Sequence, residues 1–79
     1  MSKMINRGKE LIRISPKDPR ILEYSTNDGR VWMRRYKASS VQGDFEDLAD
    51  NGKEILAICE KGTYYSTNEG KVWNRRNSR

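Results

Sequence analysis

Residues 24–35 read YSTNDGRVWMRR, and forty-one positions further on residues 65–76 read YSTNEGKVWNRR. Nine of the twelve positions are identical, and two of the three differences, Asp28/Glu69 and Arg30/Lys71, keep their charge. A chain that repeats itself in this way is built from two similar supersecondary units, and such units bury their apolar faces only against a neighbour. The repeat also runs backwards. GKELIRI at 8–14 matches GKEILAI at 52–58, with three extra residues in SPKDPRILEY (15–24) relative to CEKGTYY (59–65). Added length in a surface turn costs little, so that is where two copies of one unit diverge most freely. The chain therefore reads as one domain, 1–79, with internal repeats at about 8–36 and 43–76.

The segments between turn signals are short and rich in Ile, Leu, Val, Tyr and Trp, which predicts strands. They fall near 10–14, 21–26 and 31–36 in the first copy and near 54–59, 63–67 and 72–76 in the second. SPKDPR carries two prolines in four residues and cannot be strand interior. Gly52 after Asn51 suits a tight turn, and EKG reads as a hairpin turn. GDFEDLAD at 43–50 allows either a strand, with Phe45 and Leu48 inward, or a short helical turn. The expectation is an all-β fold of six or seven strands. It comprises two antiparallel meanders of three to four strands, packed as a small sandwich or barrel or as blade-like units in an oligomer. Alternation places Trp32, Arg34 and Tyr36 on one face and Met33 and Arg35 on the other, with Trp73 and Arg75 sharing a face in the second copy. Each Trp then has an Arg two residues on that can stack over its ring.

Read from the serine, the turns STNDGRVW (25–32) and STNEGKVW (66–73) resemble the Asp-box, Ser-x-Asp-x-Gly-x-Thr-Trp, of sialidases and other β-propellers. Ser25, Gly29 and Trp32 match, as do Ser66, Gly70 and Trp73. Asn27 and Asn68 stand where Asp is usual, and Val31 and Val72 where Thr is usual. An Asn carbonyl oxygen can still accept backbone N–H bonds in a turn. The chain is also similar to small uncharacterised bacterial proteins built of the same unit. The resemblance implies structural turns closed over by their tryptophans. It carries no catalytic residue, because nothing here reproduces the arginine triad and tyrosine nucleophile of sialidases. Propellers close with four to eight blades, so two units either pack on each other or associate with further copies.

Composition narrows function. Only 34% of residues are hydrophobic and 34% are charged, so burial leaves a thin margin over conformational entropy. Small domains often recover stability through disulfides, metals or oligomerisation. A single Cys excludes an internal disulfide, and the lack of His makes a zinc site untenable. Self-association into a homo-oligomer is the route left, with no cofactor and no metal expected. Enzyme chemistry is not expected either: there is no His, no phosphate loop, and Cys59 sits in an apolar run without a base. The lone Cys and the polar N-terminus suggest a cytoplasmic protein with no membrane segment.

Charge is uneven. Residues 1–37 hold ten Lys and Arg against four acids, net +6, while 38–79 hold six against seven, net −1. Arg34, Arg35, Tyr36, Lys37, Arg75 and Arg76, with a basic terminus at Arg79, are the residues that would bind nucleic acid, charge for phosphate and rings for bases. The same asymmetry would let a basic half meet the acidic 43–50 segment of another copy. The favoured function is a non-enzymatic interaction or self-assembly module with a protein partner not named by the sequence. Nucleic-acid binding is the alternative and glycan binding a minor one.

Overall fold

The computed structural model describes residues 3–76, all of whose regular structure is β. The first sheet contains β1 (Met4–Asn6), β2 (Leu11–Ile14), β3 (Ile21–Ser25) and β4 (Met33–Lys37). The second contains β5 (Phe45–Asp50), β6 (Ile55–Cys59), β7 (Gly62–Ser66) and β8 (Asn74–Arg75). Each is an antiparallel meander with its strands in sequence order. One point differs from the sequence expectation, and one that it left open is decided. The first repeat begins earlier than residue 8, because Met4–Asn6 pairs with Leu11–Arg13 and raises the described strands to eight. The 43–50 segment resolves as strand, paired with β6 through a register shift between Phe45 and Asp47.

Local chemistry explains the matching entries into β2 and β6. The side chain of Asn6 accepts the Gly8 N–H at 2.8 Å, and that of Asp50 accepts the Gly52 N–H at the same distance. Both glycines have φ near +90°, the left-handed region that a residue with a Cβ adopts only at a cost. The turn between β2 and β3 follows the Asp18 carbonyl, which accepts the Ile21 N–H, and the Asp18 carboxylate, which accepts that of Arg20. Its extra residues do more than lengthen a loop. The Pro19 carbonyl accepts the N–H of Phe45, the first residue of β5, at 2.8 Å.

Because side chains alternate along strands, each sheet has two faces, and the duplication makes the faces correspond. The front carries Ile5, Ile12, Ile14, Leu22 and Tyr24 in the first sheet and Ala49, Leu56, Ile58, Thr63 and Tyr65 in the second. The back carries Met4, Leu11, Arg13, Glu23 and Arg34 in the first and Leu48, Ile55, Ala57, Tyr64 and Arg75 in the second. A single core lies between the sheets. Ile12, Ile14 and Leu22 from the first front meet Phe45, Leu48, Ile55, Ala57, Cys59, Tyr64 and Trp73 of the second sheet's back and its turn. The sheets thus stack front to back.

Candidate interaction surface

The two duplicated turns close in the same way. Ser25 Oγ accepts the N–H groups of Asn27 and Gly29 at 3.3 and 2.8 Å and donates to Asn27 Oδ1 at 2.8 Å. Asn27 Oδ1 also accepts the Val31 N–H at 3.0 Å. Ser66, Asn68, Gly70 and Val72 repeat the pattern at 2.9, 3.3, 2.9 and 3.0 Å. Gly29 and Gly70 both have φ +88°, and Asp28 and Glu69 before them also lie in the left-handed region, at +64° and +66°. Asn therefore performs the turn-closing task in both copies. Each Trp ring lies over its own turn glycine, and Trp73 Nε1 donates to the Gly70 carbonyl at 2.9 Å.

The tryptophans differ in their surroundings. Trp73 is buried among Phe45 and Tyr36, with ring centroids 5.7 and 6.3 Å away. Trp32 is half-buried and lies outside the core cluster. The arginine over Trp32 is Arg13, 4.0 Å from the ring centroid, rather than Arg34 two residues on. Cross-strand geometry is responsible: Arg13 and Arg34 flank Glu23 on the same face, and Arg13 is also ion-paired to Glu23 at 2.8 Å. No stacking of Arg75 over Trp73 is seen among the described residues. Instead Arg35 lies over Tyr24 at 3.9 Å and Arg76 over Tyr65 at 4.8 Å.

The residues singled out for nucleic acid are not gathered on one face. Leu22 pairs with Tyr36 and Glu23 with Arg34, so Arg35 is an extra residue and the bulge puts Arg34 and Tyr36 on opposite faces. Tyr36 is turned to the core and its hydroxyl donates to Gln42 Oε1 at 2.9 Å. Arg35 is held by Glu10 at 2.8 Å and donates to the Glu69 carbonyl at 2.8 Å, with only 6% of its side chain exposed. Arg76 is ion-paired to Glu54, and Arg75 lies beside Gly62. Arg34 and Lys37 are exposed on the first sheet's back, while Arg79 lies outside the described residues.

The acidic 43–50 segment finds partners within its own chain. Asp50 meets Arg7 at 2.5 Å and Asp44 meets Arg20 at 3.5 Å. Arg7 also holds Glu69 at 2.9 Å through two nitrogens, and this bonding pulls the Glu69 carboxyl below the ordinary carboxylate range. Arg7 and Arg35 thus tie the second repeat's turn to the first sheet. Sequence reading missed both this tie and Gln42, which is buried, accepts from Tyr36 and donates to Cys59 Sγ at 3.5 Å. Burial pushes the Cys59 thiol upward, which disfavours the nucleophilic thiolate.

What remains open is the front of the second sheet. Ala49, Leu56, Ile58, Thr63 and Tyr65 are all half-buried, and a recess of about 140 Å³ lies among Asp47, Ala49, Leu56, Ile58 and Thr63. Among the described residues no group of His, Cys, Asp and Glu is placed to hold a metal ion, and no helix is long and apolar enough to cross a membrane. Comparison of the chain with family models, curated proteins and solved structures found no match.

Proposed function

We propose that the protein is a non-enzymatic interaction module that works by self-association. The observation that carries this reading is the second sheet's front. Its positions match those that form the core side of the first sheet, yet they stay half-buried and outside the core cluster, with Arg76 lying over Tyr65 where the first sheet has the second sheet against it. Repeat units of this kind gain stability by stacking, and the strand positions that bury Ile12 and Ile14 in the first sheet carry Leu56 and Ile58 in the second, where they are only half-buried. The paired turns, with Ser, Asn, Gly and Trp in the same roles, support the reading of both units as Asp-box-like blades. The shielded, thiol-form Cys59 is consistent with a reducing, cytoplasmic setting.

Sedimentation of the chain across the micromolar range tests the proposal. A mass that rises with concentration is expected, and a monomer throughout would overturn it. A second reading, nucleic-acid binding, is favoured by the open back of the first sheet, where Arg13, Arg34 and Lys37 stand close in the pairing pattern. It requires oligonucleotide affinity that falls steeply with added salt and is lost on replacing Arg34 and Lys37.

A further inference from the structure

Resting on the self-association reading, we propose that the open front of the second sheet receives the back of the first sheet of another copy. Chains then stack head to tail, as the two sheets already stack within one chain. The internal contact is heterologous: a front meets a back, never another front. A heterologous contact always leaves one surface of each kind unused, and its repetition closes into a ring or runs on as a filament.

The residue that shows most directly what is missing is Arg76. It is the duplicate of Arg35, forty-one positions on, and its local setting is the same. Arg35 pairs with Glu10 and lies over Tyr24; Arg76 pairs with Glu54 and lies over Tyr65. The difference is on the far side. Arg35 also donates to the Glu69 carbonyl, and its Cγ lies 3.7 Å from where a Cβ on Gly70 would stand. The next sheet's turn seals it, leaving 6% of the side chain exposed against 43% for Arg76. The counterparts of Glu69 and Gly70 are Asp28 and Gly29, and in a second copy they would occupy the same place against Arg76.

The other end of the chain carries the matching deficit. Gly29 and Trp32 are half-buried where Gly70 and Trp73 are buried, the difference expected of a turn that lies against its own sheet alone. Charge agrees as well: Asp47 stands on the open front, whereas Arg13, Arg34 and Lys37 stand on the open back. The open pair of faces is less apolar than the closed pair. Ala49 and Thr63 replace Ile5 and Leu22, and the Arg13–Glu23 ion pair replaces Ala57 and Tyr64. The contact between chains is therefore weaker than the one within a chain, and the assembly is reversible.

Two single variants of the full chain test the geometry, Leu56→Lys on the front and Met4→Lys on the back. The wild type is expected to assemble in sedimentation, each variant alone to stay monomeric, and an equimolar mixture to give a species of twice the monomer mass. That mixture retains one intact front and one intact back. If wild type assembles but the mixture stays monomeric, or if Met4→Lys assembles as wild type does, the head-to-tail geometry is overturned while self-association stands. If wild type is monomeric at every concentration, both fall. Circular dichroism checks folding. Should Leu56→Lys not fold, Arg76→Ala replaces it, with association weakened by about tenfold or more expected and an unchanged constant overturning the proposal.

Discussion

Replacing the two duplicated tryptophans should have unequal effects, although the sequence around them is nearly the same. Trp73 is 8% exposed, packs edge-on against Phe45, and spends its indole N–H on the Gly70 carbonyl. A buried Trp covers about 150–250 Å², which at about 25 cal/mol per Å² is worth about 4–6 kcal/mol as an upper bound. Measured truncations of large aromatics in cores run at about 3–5 kcal/mol, and Trp73→Ala belongs in that range. Trp32 has one side on its own turn and the other under Arg13, outside the core, so Trp32→Ala should cost roughly half as much, about 1.5–2.5 kcal/mol. Urea unfolding followed by circular dichroism at one fixed, low protein concentration gives both numbers without relying on the deleted fluorophore. A Trp73→Ala chain already unfolded without urea is within expectation, since small domains hold only about 5–15 kcal/mol. Equal costs, or a larger cost at Trp32, would refute the assignment of one tryptophan to the core and the other to an open turn.

Ser66→Ala strips the buried Gly70 N–H of its acceptor and should cost about 1–3 kcal/mol by the same unfolding assay, with Ser25→Ala toward the lower end because its turn is more exposed. Gly43→Ala would set a Cβ 2.7 Å from Glu60 Oε1 and 2.8 Å from Glu60 Cβ at φ +77°, and a loss of at least about 2 kcal/mol is expected from its thermal melt. The Glu69 carboxyl, held low chiefly by its bonds to Arg7, stabilises the fold above its unfolded pKa. That contribution is lost as pH falls through the depressed folded value. Glu69→Gln should therefore flatten the acid limb of stability against pH, and an unchanged limb would remove the Arg7 tie from the account.

The duplicated turns were legible because a left-handed glycine and its serine and asparagine partners must lie at fixed spacing along the chain. The meanders followed from the apolar segments those turns separate. What escaped notice depends on contacts between strands. Met4–Asn6 is too short for alternation to show, although Asn6-x-Gly8 against Asp50-x-Gly52 carried the repeat two residues past its assigned start. The stacking of Arg13 on Trp32 joins different strands, and the bulge at Arg35 exists only in the register of β3 with β4. Periodicity within one segment encodes neither. Arg35 itself looked like one of many surface charges, and only the arrival of the second sheet's turn makes it a buried one.

A chain that contains nearly the same hairpin twice faces an exchange hazard: strands from one copy can pair with the other's, in register and with most side chains content. The turn between β2 and β3 works against that error. Glu60 and Lys61 suffice to join Cys59 to its partner Gly62, whereas residues 16–20 lie between the corresponding Ser15 and its partner Ile21. The Pro19 carbonyl then bonds the first residue of β5, a contact for which the shorter turn has no residue to offer. A swapped pairing would forfeit that bond and leave Phe45 without its partner at the start of the strand. The three residues by which the copies differ in length thus act as an address, telling the chain which hairpin is which.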